Sequence, residues 1–490
     1  MVIVYLVIQF GVGISVYFLR RVRGSTDYVV SRGGFGMFVL GGTLAATQLS
    51  SATALGDVAW TSAYGIGYLF LLVPFLWAGY WISARWVSRK MFAFGKRANG
   101  MTIPDIFAAR YGSQRLVRSI SAIILIGAFL FDFGVQFNAA GLVLNALYGL
   151  QYHWAVVIAV AVFLGYTYIG GLRSIAYNDV IQICLFVVAY GAGAFFAVRS
   201  AGGLKSISAS LHEQDPSLLH LTGSHGLGFG ALLGLGLSFT LIFICYPIDT
   251  MKFYSAKNQK HLLYGIGIAF VLQAVIVLAV MVMGLSGRAM HPNWSVGEFD
   301  GLVPDLALHS FPPVVGGLIM AIVIGAVMAV SSSILLTLGA TLANDLYIPL
   351  SGRALSDSAR LRAVRIGVVV VALGGAALSF VDLGPIATVI NNVLQVMAAA
   401  FAVTMLAGLT SRRPNRMGAV LAMIGGAVGV SVWLMLGKPW GLAPAFLGLV
   451  LSLGGMYVGT RFGKPVDSRV LDEFFPPKDA PESATAPVIS

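Results

Sequence analysis

Apolar runs long enough to cross a bilayer recur along nearly the whole chain. They fall near residues 2–19, 35–59, 64–85, 119–148, 154–170, 179–198, 226–247, 262–286, 312–342, 366–381, 385–411, 417–437 and 441–460. One crossing takes ~20 apolar residues. The pattern therefore predicts an all-α polytopic membrane protein with thirteen transmembrane helices. Charged residues make up only 10% of the 490 residues, against about 25% in a soluble domain. So few charges cannot cover the surface of a water-soluble fold, which excludes a cytosolic enzyme and a nucleic-acid partner.

The basic residues orient the chain. With the N-terminus outside and the loops alternating, only Arg199, Lys205, Arg288 and Lys438 of the 31 lysines and arginines fall outside. Arg20, Arg21 and Arg23 follow the first span, and Lys252, Lys257 and Lys260 follow the seventh. Positive charge collects in short cytoplasmic loops. The split predicts a multi-pass protein of the plasma (inner) membrane with a cytoplasmic C-terminus. It also accounts for the net charge of +12 without an acidic partner. The first span is not a cleavable signal, because its arginines come after it. Residues 1–464 read as one transmembrane domain, with its core at about 35–411, and residues 465–490 as a polar, Pro-rich, disordered cytoplasmic tail.

A carboxylate inside a span is expensive and marks a candidate functional group. Asp57 lies in span 2, Asp132 in the middle of span 4, Asp179 at the start of span 6 and Asp249 at the end of span 7. No span offers a mid-membrane lysine or arginine to neutralise them. Asp132 suits a buried carboxylate tied to helix polar groups, a proton relay or a contact to a cationic solute. Span 2 carries Thr43, Thr47, Gln48, Ser50, Ser51 and Thr53 among small residues. Such a stretch suits tight helix packing or a discontinuous helix that binds solute and ion at the midplane. Span 7 is glycine-rich and ends in Tyr246-Pro247. Two interrupted spans five helices apart fit an inverted 5+5 repeat.

The run Tyr166-Thr167-Tyr168-Ile169-Gly170-Gly171, continuing to Ala176, Asp179 and Gln182, resembles the signature of the sodium:solute symporters. That family moves solutes such as proline, pantothenate, monocarboxylates, sialic acid and sugars. Ser31-Arg32-Gly33-Gly34, Tyr64-Gly65-Ile66-Gly67, Arg110-Tyr111-Gly112, Phe253-Tyr254-Ser255-Ala256-Lys257-Asn258 and Leu342-Ala343-Asn344-Asp345-Leu346-Tyr347 resemble further family motifs in the same order. The resemblance covers about residues 25–460. It implies a leucine-transporter-type inverted-repeat fold, alternating access and import of an organic solute.

It also implies a sodium site, formed by carbonyls of Ala46 and Leu49 in span 2 and Ala326 in span 9, plus two adjacent hydroxyl residues of span 9. Counting back from Asp345, those two positions hold Ala329 and Val330. Neither side chain can coordinate a cation. Hydroxyls resume at Ser331, Ser332 and Ser333, displaced roughly 100–200° around the helix. Losing two oxygens from a hard-cation shell weakens it. Sodium then needs a local unwinding that brings Ser331 and Ser332 to the ion; otherwise coupling is to protons or to no ion. Asp179 matches a family carboxylate on the inner ion path, and Lys252 stands where relatives usually carry arginine.

The function expected is a secondary transporter for a small polar organic solute, with Na+ or H+ as coupling ion and no cofactor. Candidate solute contacts are Thr47, Gln48, Ser51 and Thr53 in span 2, Asp132 and Gln136 in span 4, and Asn391, Asn392 and Gln395 in span 11. A substrate sensor on the same fold would carry a signalling domain, for which the tail is too short. No HExxH motif, Ser/His/Asp order or P-loop points to an enzyme or an ATP-driven pump. The lipid bilayer and the solute are the partners expected, with no obligate protein partner.

Overall fold

A computed structural model describes residues 2–19, 24–98, 100–221, 228–352 and 355–475. Its helices, up to residue 200, are α1 (Val2–Leu19), α2 (Ser25–Val30), α3 (Met37–Gln48), α4 (Asp57–Tyr64), α5 (Ile66–Ile82), α6 (Ser88–Ala98), α7 (Ile103–Arg110), α8 (Leu116–Tyr148) and α9 (Tyr152–Ser200). They continue as α10 (Leu204–Gln214), α11 (Phe229–Cys245), α12 (Pro247–Ser255), α13 (Gln259–Met290), α14 (Leu302–Asp305), α15 (Pro313–Thr341) and α16 (Ile348–Ser351). The last are α17 (Asp357–Leu378), α18 (Ile386–Thr410), α19 (Arg416–Met435), α20 (Ala445–Phe462) and α21 (Ser468–Phe474). Among the described residues the only extended pairing is a single bridge, Phe35 to Ala256.

Helices dominate because hydrocarbon offers a backbone no alternative partner. Ten helical segments are long and apolar enough to cross a membrane, and Val2–Gly13, Met37–Gln48 and Tyr152–Gly165 are shorter apolar helices. Those three lie in the first, second and fifth expected spans. Large apolar side chains such as Trp77, Trp81, Val188, Phe195, Leu373 and Val450 stand exposed on the outer surface, as a lipid-facing surface requires.

Two crossings are interrupted. After Gln48 the chain leaves the helix at Leu49 (φ −97°, ψ 74°) and resumes as a π-helical turn, Ala52–Gly56, leading into α4. The local sequence replaces the lost backbone bonds. Thr53 Oγ1 donates to the Gln48 carbonyl (3.2 Å), Ser50 Oγ accepts from the Ala52 amide (3.1 Å), and Gln136 Oε1 of α8 accepts from the Ser51 amide (3.2 Å). The second break lies between α11 and α12, at Tyr246 (φ −68°, ψ 117°). Pro247 enforces it, since proline has no amide hydrogen and drives its predecessor out of the helical region.

Three expectations need correction. Span 9 does not unwind: α15 runs without a break from Pro313 to Thr341, through all three serines. Apolar neighbours bury it almost throughout, and nothing in Ala326–Ser333 frees a backbone group. Spans 5 and 6, together labelled α9, are two helices that meet directly at a sharp kink at Gly171 (φ 59°, ψ −170°), with no loop between them. The tail is not wholly irregular, because Ser468–Phe474 is helical. Asp467 caps that helix by accepting from the Arg469 amide (2.9 Å), and Phe474 packs on Phe94. Residues 476–490 of the expected tail lie outside the described residues, as do Arg20, Arg21 and Arg23.

Family motifs fix the entry to the first broken crossing. Tyr28 of α2 donates its hydroxyl to the Thr167 carbonyl (2.9 Å) at the bend of α9. Arg173 Nε donates to Ser31 Oγ (2.9 Å), and its guanidinium meets Asp27 at 3.1 Å. Phe35 then pairs with the end of α12, donating to the Ser255 carbonyl (3.0 Å) and accepting from the Lys257 amide (2.9 Å).

At Gly171 a Cβ would lie 2.7 Å from both the ring and the carbonyl oxygen of Tyr28. Gly171→Ala combines a left-handed conformation with overpacking, at a cost of roughly 2–4 kcal/mol. Gly127, with open space around its Cβ position, is the control. The expected outcome is a clearly lower melting midpoint in detergent for Gly171→Ala and an unchanged one for Gly127→Ala. Equal midpoints would show that the bend tolerates a side chain.

Candidate functional site

The two breaks meet at a buried cavity of about 50 Å³. The first broken crossing supplies Thr47, Gln48, Ser50, Thr53 and Asp57; α8 supplies Asp132; the second break supplies Tyr246; α13 supplies Gln273; and α18 supplies Asn391. Phe239, Leu72, Leu76, Val277, Ile390 and Leu394 complete an apolar wall.

The polar groups hold one another in place. Gln136 Nε2 donates to Asp132 (2.9 Å) while its oxygen holds the Ser51 amide, so one glutamine joins the cavity carboxylate to the break in span 2. Tyr68 Oη donates to Asp57 (2.8 Å). Gln48 Nε2 donates to Asp249 of α12 (3.0 Å) and ties one break to the other. Gln273 Oε1 and Asn391 Nδ2 are buried and have no hydrogen-bond partner among the described residues.

Of the solute contacts expected from sequence, Thr47, Gln48, Thr53, Asp132 and Asn391 line this cavity. Ser51 and Gln136 stand directly behind it. Asn392 and Gln395 do not line it. Gln395 donates to the Asn391 carbonyl (3.3 Å) and accepts from the Ala445 amide of α20 (3.0 Å), so it braces helices. Tyr68, Tyr246 and Gln273 were missed, because a helix face cannot be assigned from an almost uniformly apolar span.

Ala46, Leu49 and Ala326, the positions matching the family's sodium site, do come together. With Ala329, Ile183, Phe186, Ile322 and Gln182 they enclose about 10 Å³, room for one water-sized occupant. Gln182 is the only polar side chain around it. Ser331, Ser332 and Ser333 do not line it. The Ser332 hydroxyl donates to the Met328 carbonyl (2.8 Å) of its own helix.

Asp179 accepts a hydrogen bond from the Thr43 hydroxyl and lies 3.3 Å from Lys252 Nζ, which also donates to the Thr43 carbonyl (2.8 Å). Here the structure overturns the assignment of Lys252 to a loop. Its side chain is 0% exposed, because α12 continues the broken crossing into the protein interior. Thr43 precedes Ala46 by one turn on α3, and Asp179 precedes Gln182 by one turn on α9. The ammonium therefore sits about one helical turn, ~5 Å, from Ala46 on α3 and from Gln182 on α9.

A second polar cluster joins other family motifs. Arg118 pairs with Asp105 and approaches Asp345 at 3.6 Å, and Thr102 Oγ1 donates to Asp345 (2.8 Å). Arg110 donates to the carbonyls of Gly408 (2.7 Å) and Ser411 (2.6 Å), and Tyr111 to that of Thr404 (2.7 Å). Thr102 and Asp105 form a capping box at the start of α7, a pattern legible in Thr102-Ile103-Pro104-Asp105.

Residues 28–426 match the sodium:solute symporter family. The chain belongs to that family. It is 29% identical over 476 residues to a sodium/pantothenate symporter of Escherichia coli, covering 95% of this chain and 96% of that one. It is 22% identical to the high-affinity proline transporter PutP of Bacillus subtilis, over 94% of this symporter-family chain and 98% of the relative. A Na+-coupled sialic acid symporter in its substrate-bound outward-open state superposes with a TM-score of 0.79 at 17% identity, over 95% and 98% of the two chains. Mhp1, a nucleobase-cation-symport-1 family transporter, gives a TM-score of 0.57 at 15% identity, over 92% and 99%. These superpositions establish a shared fold.

Breaking one side of a buried ion pair leaves an uncompensated charge, at a cost of about 3–5 kcal/mol. Asp179→Asn and Lys252→Met should each lower the melting midpoint in detergent, and the double variant should melt above both. Additive losses would show that the two groups do not stabilise each other.

Proposed function

We propose that this chain imports a small polar organic solute by alternating access through the central cavity. The reading includes thirteen crossings, an inverted 5+5 repeat over about 35–411, an external N-terminus and a cytoplasmic C-terminus. The observation that carries it is the meeting of two interrupted helices at one buried polar cavity, the arrangement by which transporters of this type hold a solute between two gates. Membership of the symporter family supports the same reading.

For the coupling ion, the relatives named as sodium symporters favour Na+. The lining of the matching position in this chain favours another arrangement. Ala329 contributes a methyl group there, α15 stays wound, and Ser332 is committed to its own helix. The Lys252 ammonium, held by Asp179 and Thr43, already supplies a positive charge one turn away. We therefore favour transport that is independent of Na+, driven by protons through the Asp179–Lys252 pair or by the solute gradient alone.

Uptake into proteoliposomes under imposed gradients tests both parts. Accumulation of solute supports transport, and a protein that binds solute without moving it would defeat that reading. Replacing K+ by Na+ across the millimolar range should leave the initial rate unchanged, and Asp179→Asn should abolish pH-driven accumulation while leaving solute exchange. A saturable Na+ requirement would overturn the coupling reading.

A further inference from the structure

The central cavity carries an unusual charge balance. Asp57 and Asp132 both line it, and no lysine, arginine or histidine does so among the described residues. The donors that meet these carboxylates are neutral: Tyr68 for Asp57 and Gln136 for Asp132. Carboxylates in a shared low-dielectric space repel each other and lack the solvation that water would give.

The helix ends around the cavity point the same way. In a broken crossing, the N-terminus of the second half-helix presents positive partial charge to an anionic solute. The second half-helix of span 7 holds its own anion in that place. Asp249 lies in the first turn of α12, whereas the second half-helix of span 2 begins at Ala52 and carries Asp57 more than a turn further along. A carboxylate-bearing solute would meet carboxylates where it needs donors.

An unpartnered group agrees. Gln273 Oε1, on a side chain 6% exposed, is an acceptor without a donor. With the carboxylates of Asp57 and Asp132, it gives the cavity acceptors that the N–H groups of a solute would meet. The ring of Tyr246 adds an aromatic wall, and aromatic faces attract ammonium groups.

From these observations we infer that the solute is a small protonated organic amine without a carboxylate, neutralised in the cavity by Asp57 and Asp132. The inference rests on the transport reading and narrows it to a solute class unlike the acids named for several relatives.

The test uses the full-length protein in detergent, with K+ as the background cation. The probes are butylamine and 1,4-diaminobutane, their neutral counterparts butanol and 1,4-butanediol, and the acids succinate, pantothenate and proline. At least one amine should raise the melting midpoint saturably, and the neutral and acidic probes should not. Asp57→Asn and Asp132→Asn should each weaken the amine response by about tenfold or more. Without ligand they should melt at or above the parent, since each removes an uncompensated buried charge.

Silence of both amines, or a response to an acid probe, would overturn the inference. So would an amine response that survives both substitutions, or unliganded Asn variants that melt well below the parent. A shift reproduced by Na+ in place of the amine would identify an inorganic cation site instead, and would also overturn it. Proteoliposome uptake separates this inference from the one beneath it. Amines that bind through Asp57 and Asp132 without accumulating would defeat transport alone, whereas accumulation of proline or pantothenate would defeat the amine assignment alone.

Discussion

A backbone carbonyl or amide set free inside hydrocarbon has no water to turn to. That constraint governs this structure. Where the crossings are regular, the helix satisfies itself and the sequence is free to be apolar. Where a crossing breaks, side chains must take over, and the hydroxyls and amides of this chain gather at those points. Thr53, Ser50 and Gln136 close the first break. The second is a single residue wide, set by Pro247. The cavity exists because both interruptions are chemically supported at the same place.

Charge follows the same economy of placement. Asp179 and Lys252 neutralise each other beside the first broken helix, and Arg118 joins Asp105 and Asp345 near the start of α7. Asp57, Asp132 and Asp249 have no basic partner at hydrogen-bond distance among the described residues. The interior thus separates into pairs that lock helices together and carboxylates met by neutral donors. Two of those carboxylates line the one space where the two breaks meet.

Much of this was legible in the residues. The apolar runs gave the helices, Tyr246-Pro247 gave the second break, and the hydroxyl-rich stretch from Thr43 to Thr53 marked the first. Counting back from Asp345 reads Ala329 and Val330 at the positions where the resemblance implies a hydroxyl pair. The bend at Gly171 was not, since a glycine pair in an apolar run does not reveal that one of them adopts a left-handed conformation against Tyr28. Lys252 was misplaced because charge alone assigns a lysine to a loop, and only the continuation of α12 past the break shows it buried. Gln395 and Asn392 do not line the cavity for a simpler reason: polarity on α18 identifies candidates, but rotation decides which of them face it.

The bond from Gln48 to Asp249 spans the two broken crossings. It acts as a tie-rod. Tilting either interrupted helix alone costs this bond to a buried carboxylate, about 1.5–3 kcal/mol. Any opening that moves them separately has first to uncouple an amide from a buried carboxylate. In the alternating access proposed for this chain, that cost favours a concerted step over a sequence of independent helix motions.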